Sequence, residues 1–586
     1  MEELAPPTRR QLLAGIATAT TGSVAGCMER FWSGSDENTP EQVSLVIKTV
    51  PTDDDYIAAS ILSQLRENLA DAGIQVTTEP VAEREFYREI LIQRDYDIFV
   101  GRHPGLFEPD ALRDLLHSAF RTEEGWQNPF NFSNMAIDEL LEKQHTSEGE
   151  TREETLEELF ESLEQIGPHS VVAFPNHLGG ARNEVRTSWT PNRAEGYIDL
   201  LSTEPADGSR TNPLRVGLFG EGLSDRFNPI AADVGSERPL LELLYDPLAR
   251  RIDGEYVPWL ADDISWDDSG VEIEATVRLR EGLTWHDGES LDASDVEFTI
   301  RFFEDTSLGE IESGVPTSQY RGCQSVVDSV STVGARTVEF SFETPSEAVA
   351  SRPLTVPILP EHVWESRSEP VGEYQTEART TDNEPPIGSG LFRFGEHEAN
   401  ELLEFELFDD HVLLDPAVSD RPSILNGFPQ YDGIEFHIVG PYPGVLIDMM
   451  ADDDIDIIGA DLPPEHAGSI VEESDVSMVN SSTDSAYIVG YNFQHPQLGD
   501  PRFRSLVSRL IDRDHVVEEV FDGYAEKPET YAELAGVRSP DDSSRSADGT
   551  ASVLRFPGSD GEINQDLVRT LFEDEGYRYD DDTLLE

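Results

Sequence analysis

Arg278-Leu279-Arg280-Glu281-Gly282-Leu283-Thr284-Trp285-His286-Asp287-Gly288, followed by Leu291-Asp292-Ala293-Ser294-Asp295-Val296, is the stretch from which the fold is read. Trp285-His286-Asp287-Gly288 reads as a turn, and residues 293–305 as a helix behind it. On the N-terminal side a strand begins at residue 214, and the pattern stays strand-rich with inserted helices to about residue 394. On the C-terminal side residues 433–438, 455–458 and 486–492 read as strands. Residues 445–451, 504–521 and 563–575 read as helices. Upstream of residue 214, Glu204-Pro205-Ala206-Asp207-Gly208-Ser209-Arg210-Thr211-Asn212-Pro213 is the clearest linker in the chain. Before it, residues 43–50 form a strand signal, with Val43, Leu45 and Ile47 alternating. Residues 56–72 form an amphipathic helix signal, with Ile57, Ile61, Leu65 and Leu69 on one face and a stop at Gly73. Strand 74–81, helix 83–92 and strand 96–100 follow, then helices at 136–144 and 153–166 and an apolar strand at 170–174. Alternating strands and helices argue for an α/β layer.

The chain has 586 residues, enough for several domains, and is 38% hydrophobic, enough for a sizeable core. Its anomaly is charge: 117 Asp plus Glu against 42 Lys plus Arg, a net −75. The only lysines are Lys48, Lys143 and Lys527. So acidic a surface repels phosphate, which excludes nucleic acid as a partner. It suits a salt-rich medium, where a screening length of about 3 Å at 1 M removes most self-repulsion. The runs 53–55, 452–454 and 580–582, all Asp, are accordingly read as solvated loops; none has the spaced ligands and glycine of a calcium loop.

The N-terminus reads as an address. Thr8-Arg9-Arg10-Gln11-Leu12-Leu13 precedes a mild apolar stretch, 12–25, too short and too rich in Ala, Gly and Thr to span a bilayer. Paired Arg9 and Arg10 ahead of it resemble a twin-arginine export signal. Val24-Ala25-Gly26-Cys27 resembles a lipobox, with Cys27 as the lipidated residue. Residues 1–27 are thus expected to be a lipoprotein signal and 28–42 a polar tether. The protein would then sit on the extracellular face of the cytoplasmic membrane. Cys323 is the only other cysteine, so no intramolecular disulfide and no cysteine-based zinc site is expected.

No lysine follows a glycine, which excludes a Walker A loop, and none lies three residues after a serine. Gly-x-Ser-x-Gly and His-Glu-x-x-His are absent. His286-Asp287 has no serine motif to complete a triad and is expected to serve turn packing. No catalytic residues, cofactor or metal ligands are therefore expected, and the chain reads as a non-enzyme.

The 278–296 phrases resemble the most distinctive stretch of family 5 extracellular solute-binding proteins, the oligopeptide-type receptors of ABC importers. Four further phrases are similar to that family over residues 213–586. These are Ile358-Leu359-Pro360-Glu361-His362-Val363-Trp364, Ile387-Gly388-Ser389-Gly390-Leu391-Phe392, Asp456-Ile457, and Asn492 with Asp500-Pro501-Arg502-Phe503-Arg504 and Leu510-Ile511-Asp512-Arg513. The resemblance implies an α/β, two-lobe periplasmic-binding-protein-like fold of the class II type with an extra subdomain. It implies capture of a peptide or another small polar solute by hinge closure, delivery to ABC permease subunits, and a monomer. A ligand-responsive sensor or surface interaction protein without a permease would share the fold. An exported hydrolase would need a catalytic set that is not seen.

The order is unusual: residues 43 to about 200 resemble the family's last third. Glu575-Gly576-Tyr577 resembles the segment that normally precedes it, so a circular permutation is expected, with residues 583–586 beside 38–44. The expected lobes are 187–394 for lobe one, with the extra subdomain and the 201–213 linker. Residues 43–186 plus 395–586 are expected to form lobe two. Hinge strands are expected near 387–396 and 175–190. The resemblance suggests cleft positions at Phe227-Asn228-Pro229 and Tyr245. Ser389 and Gly390, flanked by Gly388, either present backbone groups to a ligand or form a tight hinge turn. Tyr491 and Asn492 either line the cleft or form a core pair. Peptide-binding members often carry an Asp that pairs with the peptide's amino group; here Gly101-Arg102-His103-Pro104-Gly105-Leu106-Phe107-Glu108-Pro109-Asp110 places Gly105 there. Glu108 or Asp110 could substitute. Arg102, beside His103, could face an anionic group or sit in a surface ion pair.

Overall fold

A computed structural model describes residues 41–585 apart from 188–195, 207, 209–211, 221–222, 232–237, 253, 271, 373, 419, 474 and 538–554. Arg9, Arg10, Cys27, most of the tether and part of the 201–213 linker lie outside the described residues.

The first layer follows from the alternation at the start. β1 (Ser44–Thr49) leads into α1 (Tyr56–Asp71), β2 (Gln75–Pro80) and β3 (Ile98–His103). β2 and β3 both pair with β1 in parallel, the outcome expected of strands joined through helices. α1 starts where the Asp55 side chain accepts the Ala58 N–H at 2.9 Å, and it buries Ile57, Ile61, Leu65 and Leu69 at four-residue spacing. α2 (Met135–His145) and α3 (Gly149–Ile166) follow and pack against each other, and then comes β4 (His169–Arg182).

A second body follows β4. β5 (Leu214–Phe219) opens it, and β6 (Ala261–Asp267), β7 (Glu274–Leu279), α4 (Ala293–Glu304), β8 (Val327–Gly334) and β9 (Thr337–Phe342) build a subdomain. Its four strands form an antiparallel sheet in the order β6-β7-β9-β8. α4 begins in a capping box of Asp292 and Asp295 and buries Val296, Ile300 and Phe303. β10 (Phe392–Glu398), β11 (Leu402–Leu407), β12 (Gly433–Val439), α5 (Gly444–Ala451), β13 (Ile457–Ile458) and β14 (Val476–Ser482) complete this body. The chain then returns to the first layer through β15 (Ala486–Tyr491), α6 (Pro501–Arg509), β16 (Ala525–Glu526), α7 (Gln565–Asp574), β17 (Arg578–Asp580) and β18 (Thr583–Leu585).

One twelve-stranded sheet runs β10-β11-β12-β5-β13-β4-β15-β3-β1-β2, with β14 and β16 also on β4. β4 belongs to both bodies. Its residues 169–173 pair with β15, and residues 176–182 pair with β14. The hydrophobic cores divide at the same place: residues 43–174 and 486–584 share one cluster, while residues 181–457 share another. A small cluster of Leu178, Leu446, Met450, Ile458 and Ile470 lies under α5.

This changes the boundary read from sequence. Residues 395–482 were expected in lobe two. Leu403, Phe405, Ile434 and Phe436 instead share a core with Val216 and Trp285, because β12 pairs with β5 in parallel. The two crossings are β4 and residues 483–485; residues 387–396 lead into β10, inside lobe one. The 504–521 helix signal is also interrupted: α6 ends at Arg509, and Asp512 caps a new turn by accepting the His515 N–H.

Residues 583–585 lie beside the start of the layer. Val43 N–H donates to Leu584 O at 2.9 Å, and Leu584 N–H donates to Gly73 O at 3.0 Å. Gly73 has φ +84, and a Cβ there would stand 2.4 Å from Asp582 O. Only glycine admits that approach.

Candidate functional site

Between the two bodies lies a cleft of about 1480 Å³. Lobe two contributes Phe86, Tyr87, Trp126 and the segment 101–107; lobe one contributes Leu223, Tyr442 and residues 459–466. A space this large exceeds the roughly 300–1,000 Å³ of ordinary small-molecule pockets.

Its floor, beside the crossings, is an ionic chain. β3 presents Arg102 opposite Tyr487 of β15. Arg102 Nη1 lies 2.5 Å from Asp461 Oδ2 of lobe one. Its Nε and Nη2 donate to Ser485 Oγ at 3.0 and 2.9 Å. His177 of β4 contacts the other Asp461 oxygen through Nδ1. Tyr487 OH donates to Asp55, the α1 cap, at 3.0 Å. Burial disfavours the Arg102 cation, but Asp461 outweighs it and holds the guanidinium pKa above its ordinary value. Burial likewise pushes the Asp461 carboxyl up, yet Arg102 and His177 hold it well below the usual carboxylate range. Burial raises Asp55. Arg102 is thus a cation already matched across the lobes, the ion-pair alternative of the sequence reading.

His103 also lines the cleft and is buried. Its Nδ1 accepts the Gly105 N–H at 3.0 Å, and its ring meets Trp126 edge-on at 4.5 Å. Burial lowers its pKa to about 3, so it is neutral near pH 7.

The other sequence-derived positions do not line the cleft. Asn228 donates to Ala378 O and Thr381 O, both at 2.8 Å, and Phe227 packs edge-on against Phe394. Tyr245 is buried, its hydroxyl accepting from Asn383 Nδ2 at 2.8 Å. A Cβ on Gly388 would stand 2.0 Å from Leu244 O, and one on Gly390 2.2 Å from Leu243 O. Ser389 Oγ accepts the Asp246 N–H at 3.2 Å. This turn is therefore closed against lobe one's own backbone. Tyr491 hydrogen-bonds Ser170 at 2.6 Å, and Asn492 donates to Tyr96 O at 2.8 Å, a core pair. His286 packs on the same 388–390 turn, Nε2 lying 3.1 Å from Gly390 O, while Asp287 faces His362 at 2.8 Å.

Glu108 and Asp110 do not replace the absent aspartate in the cleft; they are tied up elsewhere by Arg152, Arg352, His145 and Gln144. Gly105 itself has φ +95, and a Cβ there would stand 2.2 Å from Asp484 O. The close backbone approach explains why no side chain stands there. Asp461, Ser485, Tyr487 and Asp55 escaped the sequence reading. Asp55 was absorbed into the solvated 53–55 run, though an Asp immediately ahead of an amphipathic helix pattern is a capping signal.

Two α/β bodies joined by two crossings around one large cleft define a two-lobe binding-protein fold. The sequence profile described as bacterial extracellular solute-binding proteins, family 5 Middle, matches residues 255–585, more than half of the chain. The chain belongs to that family, whose members are solute-binding proteins rather than enzymes. The oligopeptide-binding protein AppA of Bacillus subtilis is 24% identical over 315 residues, 53% of this chain and 52% of that protein. Protein XP55 of Streptomyces lividans is 26% identical over 373 residues, 58% of this chain and 59% of that one. The chain thus spans about half the length of the curated relatives it matches. Among solved structures, AppA of B. subtilis with a nonapeptide aligns at a TM-score of 0.45 and 20% identity, covering 63% of this chain and 65% of that one. NikZ of Campylobacter jejuni with Ni(L-His) aligns at 0.43 and 17%, covering 64% and 66%.

Proposed function

We propose that this protein is the ligand-capturing receptor of an ABC importer, taking a peptide or a similarly sized polar solute between its lobes and presenting it to permease subunits. The observation that carries the reading is the cleft of about 1480 Å³ between bodies whose described backbone passes from one to the other through β4 and residues 483–485. Two narrow crossings permit hinge closure with both cores intact. The absence of an aspartate at Gly105 argues against the amino-group recognition of peptide-binding members, so the solute need not be a peptide.

The paired Arg9 and Arg10, the 24–27 lipobox and the polar stretch behind it support export and anchoring through Cys27. Among the described residues no helix is long and apolar enough to cross a membrane. Circular permutation is part of the proposal. It is supported by the order of the resembling segments and by the hydrogen bonds that set residues 583–585 beside 42–43.

A thermal-shift screen in multimolar salt tests the reading, with peptides, sugars, metal chelates and organic anions. A ligand at 100 times its Kd adds about 2.7 kcal/mol to folded-state stability. A shift confined to one chemical class supports the receptor and identifies its solute. A cooperative melt without any shift favours a ligand outside the screen or a surface-interaction role without a solute.

A further inference from the structure

The lobes touch a second time, away from the crossings. Arg352 of lobe one inserts among three carboxylates of lobe two. Its Nη1 meets Asp110 and its Nη2 meets Asp114, while Nε lies 3.6 Å from Glu108. Asp110 is fully buried and is also held by Gln144 Nε2 at 2.7 Å and His145 Nδ1 at 2.8 Å. Around this centre Thr344 Oγ1 donates to His145 O at 2.6 Å, and Gln127 Nε2 donates to Ser318 O at 3.0 Å. Arg379 pairs with Glu124.

The backbone is shaped for the contact. A Cβ on Gly322 of lobe one would stand 2.1 Å from the Asp114 carboxyl, and one on Gly125 of lobe two 2.1 Å from Ser318 O. Asp114, Gln127, Gln319 and Gly322 also line the cleft, so the contact forms one of its edges.

We infer that Arg352 and the Glu108–Asp110–Asp114 carboxylates form an interlobe latch that holds the cleft closed without ligand and opens for ligand exchange. Pulling the lobes apart withdraws the cation from three adjacent carboxylates and leaves them with Arg152 at Glu108 and His145 at Asp110. That step requires rehydration of the whole cluster, so it sets a barrier that the exposed rim of the cleft does not. The inference rests on the two-lobe reading but not on any ligand class.

Small-angle X-ray scattering of the full chain, without added ligand and in multimolar salt, tests it. Arg352→Ala removes the cation; Gly322→Val leaves every charge in place and wedges the contact. Both are expected to increase the radius of gyration while keeping a cooperative melt, with Arg352→Lys falling between them and the parent. If Arg352→Ala fails to fold, Gly322→Val decides alone. A folded Gly322→Val or Arg352→Ala protein with the parent's radius of gyration overturns the latch. Because no ligand is present, the result is independent of whether the thermal screen finds one.

Discussion

The segment from Arg102 to Asp110 ends in an interlobe ionic contact at each side, and the two contacts differ. At one end Arg102 and Asp461 meet beside the crossings, with about a quarter of each side chain exposed (25% and 23%). At the other, Arg352 and Asp110 meet with 7% and 0% exposed. The first pair sits where the backbone already joins the lobes, so hinge motion changes its geometry little. The second has no covalent tie near it and must break when the lobes part. Burial and distance from the crossings, rather than the number of charges, assign one contact to shaping the cleft floor and the other to holding its edge.

Removing one carboxylate from each contact sharpens this difference most. Asp110→Asn leaves the Arg352 guanidinium short of a buried anion and is expected to cost about 3–5 kcal/mol. Asp461→Asn leaves Arg102 beside Ser485 and partly in water, and is expected to cost about 1–2 kcal/mol. Chemical denaturation of both variants in the same salt measures the two values. Equal losses would erase the distinction between the contacts.

How legible was this from sequence? The first layer was, because β1 and α1 bury apolar residues at periods of two and four and β3 opens with a short apolar run, residues 98–100, buried throughout. The lobe boundary was misread because the decisive fact is the parallel pairing of β12 with β5, between segments over two hundred residues apart. Arg102 and His103 were reached through the 101–110 phrase that the family resemblance aligns with the missing aspartate, and both line the cleft. Their partners were not, since Asp461 lies in an acidic chain where one carboxylate looks like any other. Phe227, Asn228, Tyr245, Ser389, Gly390, Tyr491 and Asn492 came from family position, and here those positions are satisfied inside the cores.

The pH dependence tests the middle of the segment. The folded-state pKa of His103 is depressed to about 3 by burial, against about 6.5 for an exposed histidine. Its contribution to stability is fully present above about pH 6.5, where both states are neutral. As pH falls below that, the unfolded state takes up a proton and the folded state does not, so the contribution is lost progressively toward the folded-state value. Denaturation midpoints recorded downward from pH 7 should fall, and His103→Gln should flatten that fall. An unchanged slope would mean that the ring is accessible to protons in the folded protein, and the cleft floor more open than its geometry shows.

The smallest difference is expected between two substitutions at Gly105, which separates the two contacts. Gly105→Asp restores the carboxylate that peptide-binding relatives carry, but at φ +95 and with Asp484 O 2.2 Å from the new Cβ. The left-handed backbone and the steric conflict together are expected to cost about 1–3 kcal/mol. The new carboxylate would also stand against the Asp484 carbonyl oxygen, which repels it. Gly105→Ala carries the same strain without the charge. The difference between the two melts therefore isolates electrostatics from sterics. If Gly105→Asp melts like the parent and gains affinity for free amino termini in the peptide screen, residues 103–105 are adaptable, and the cleft floor would be the more mobile contact of the two.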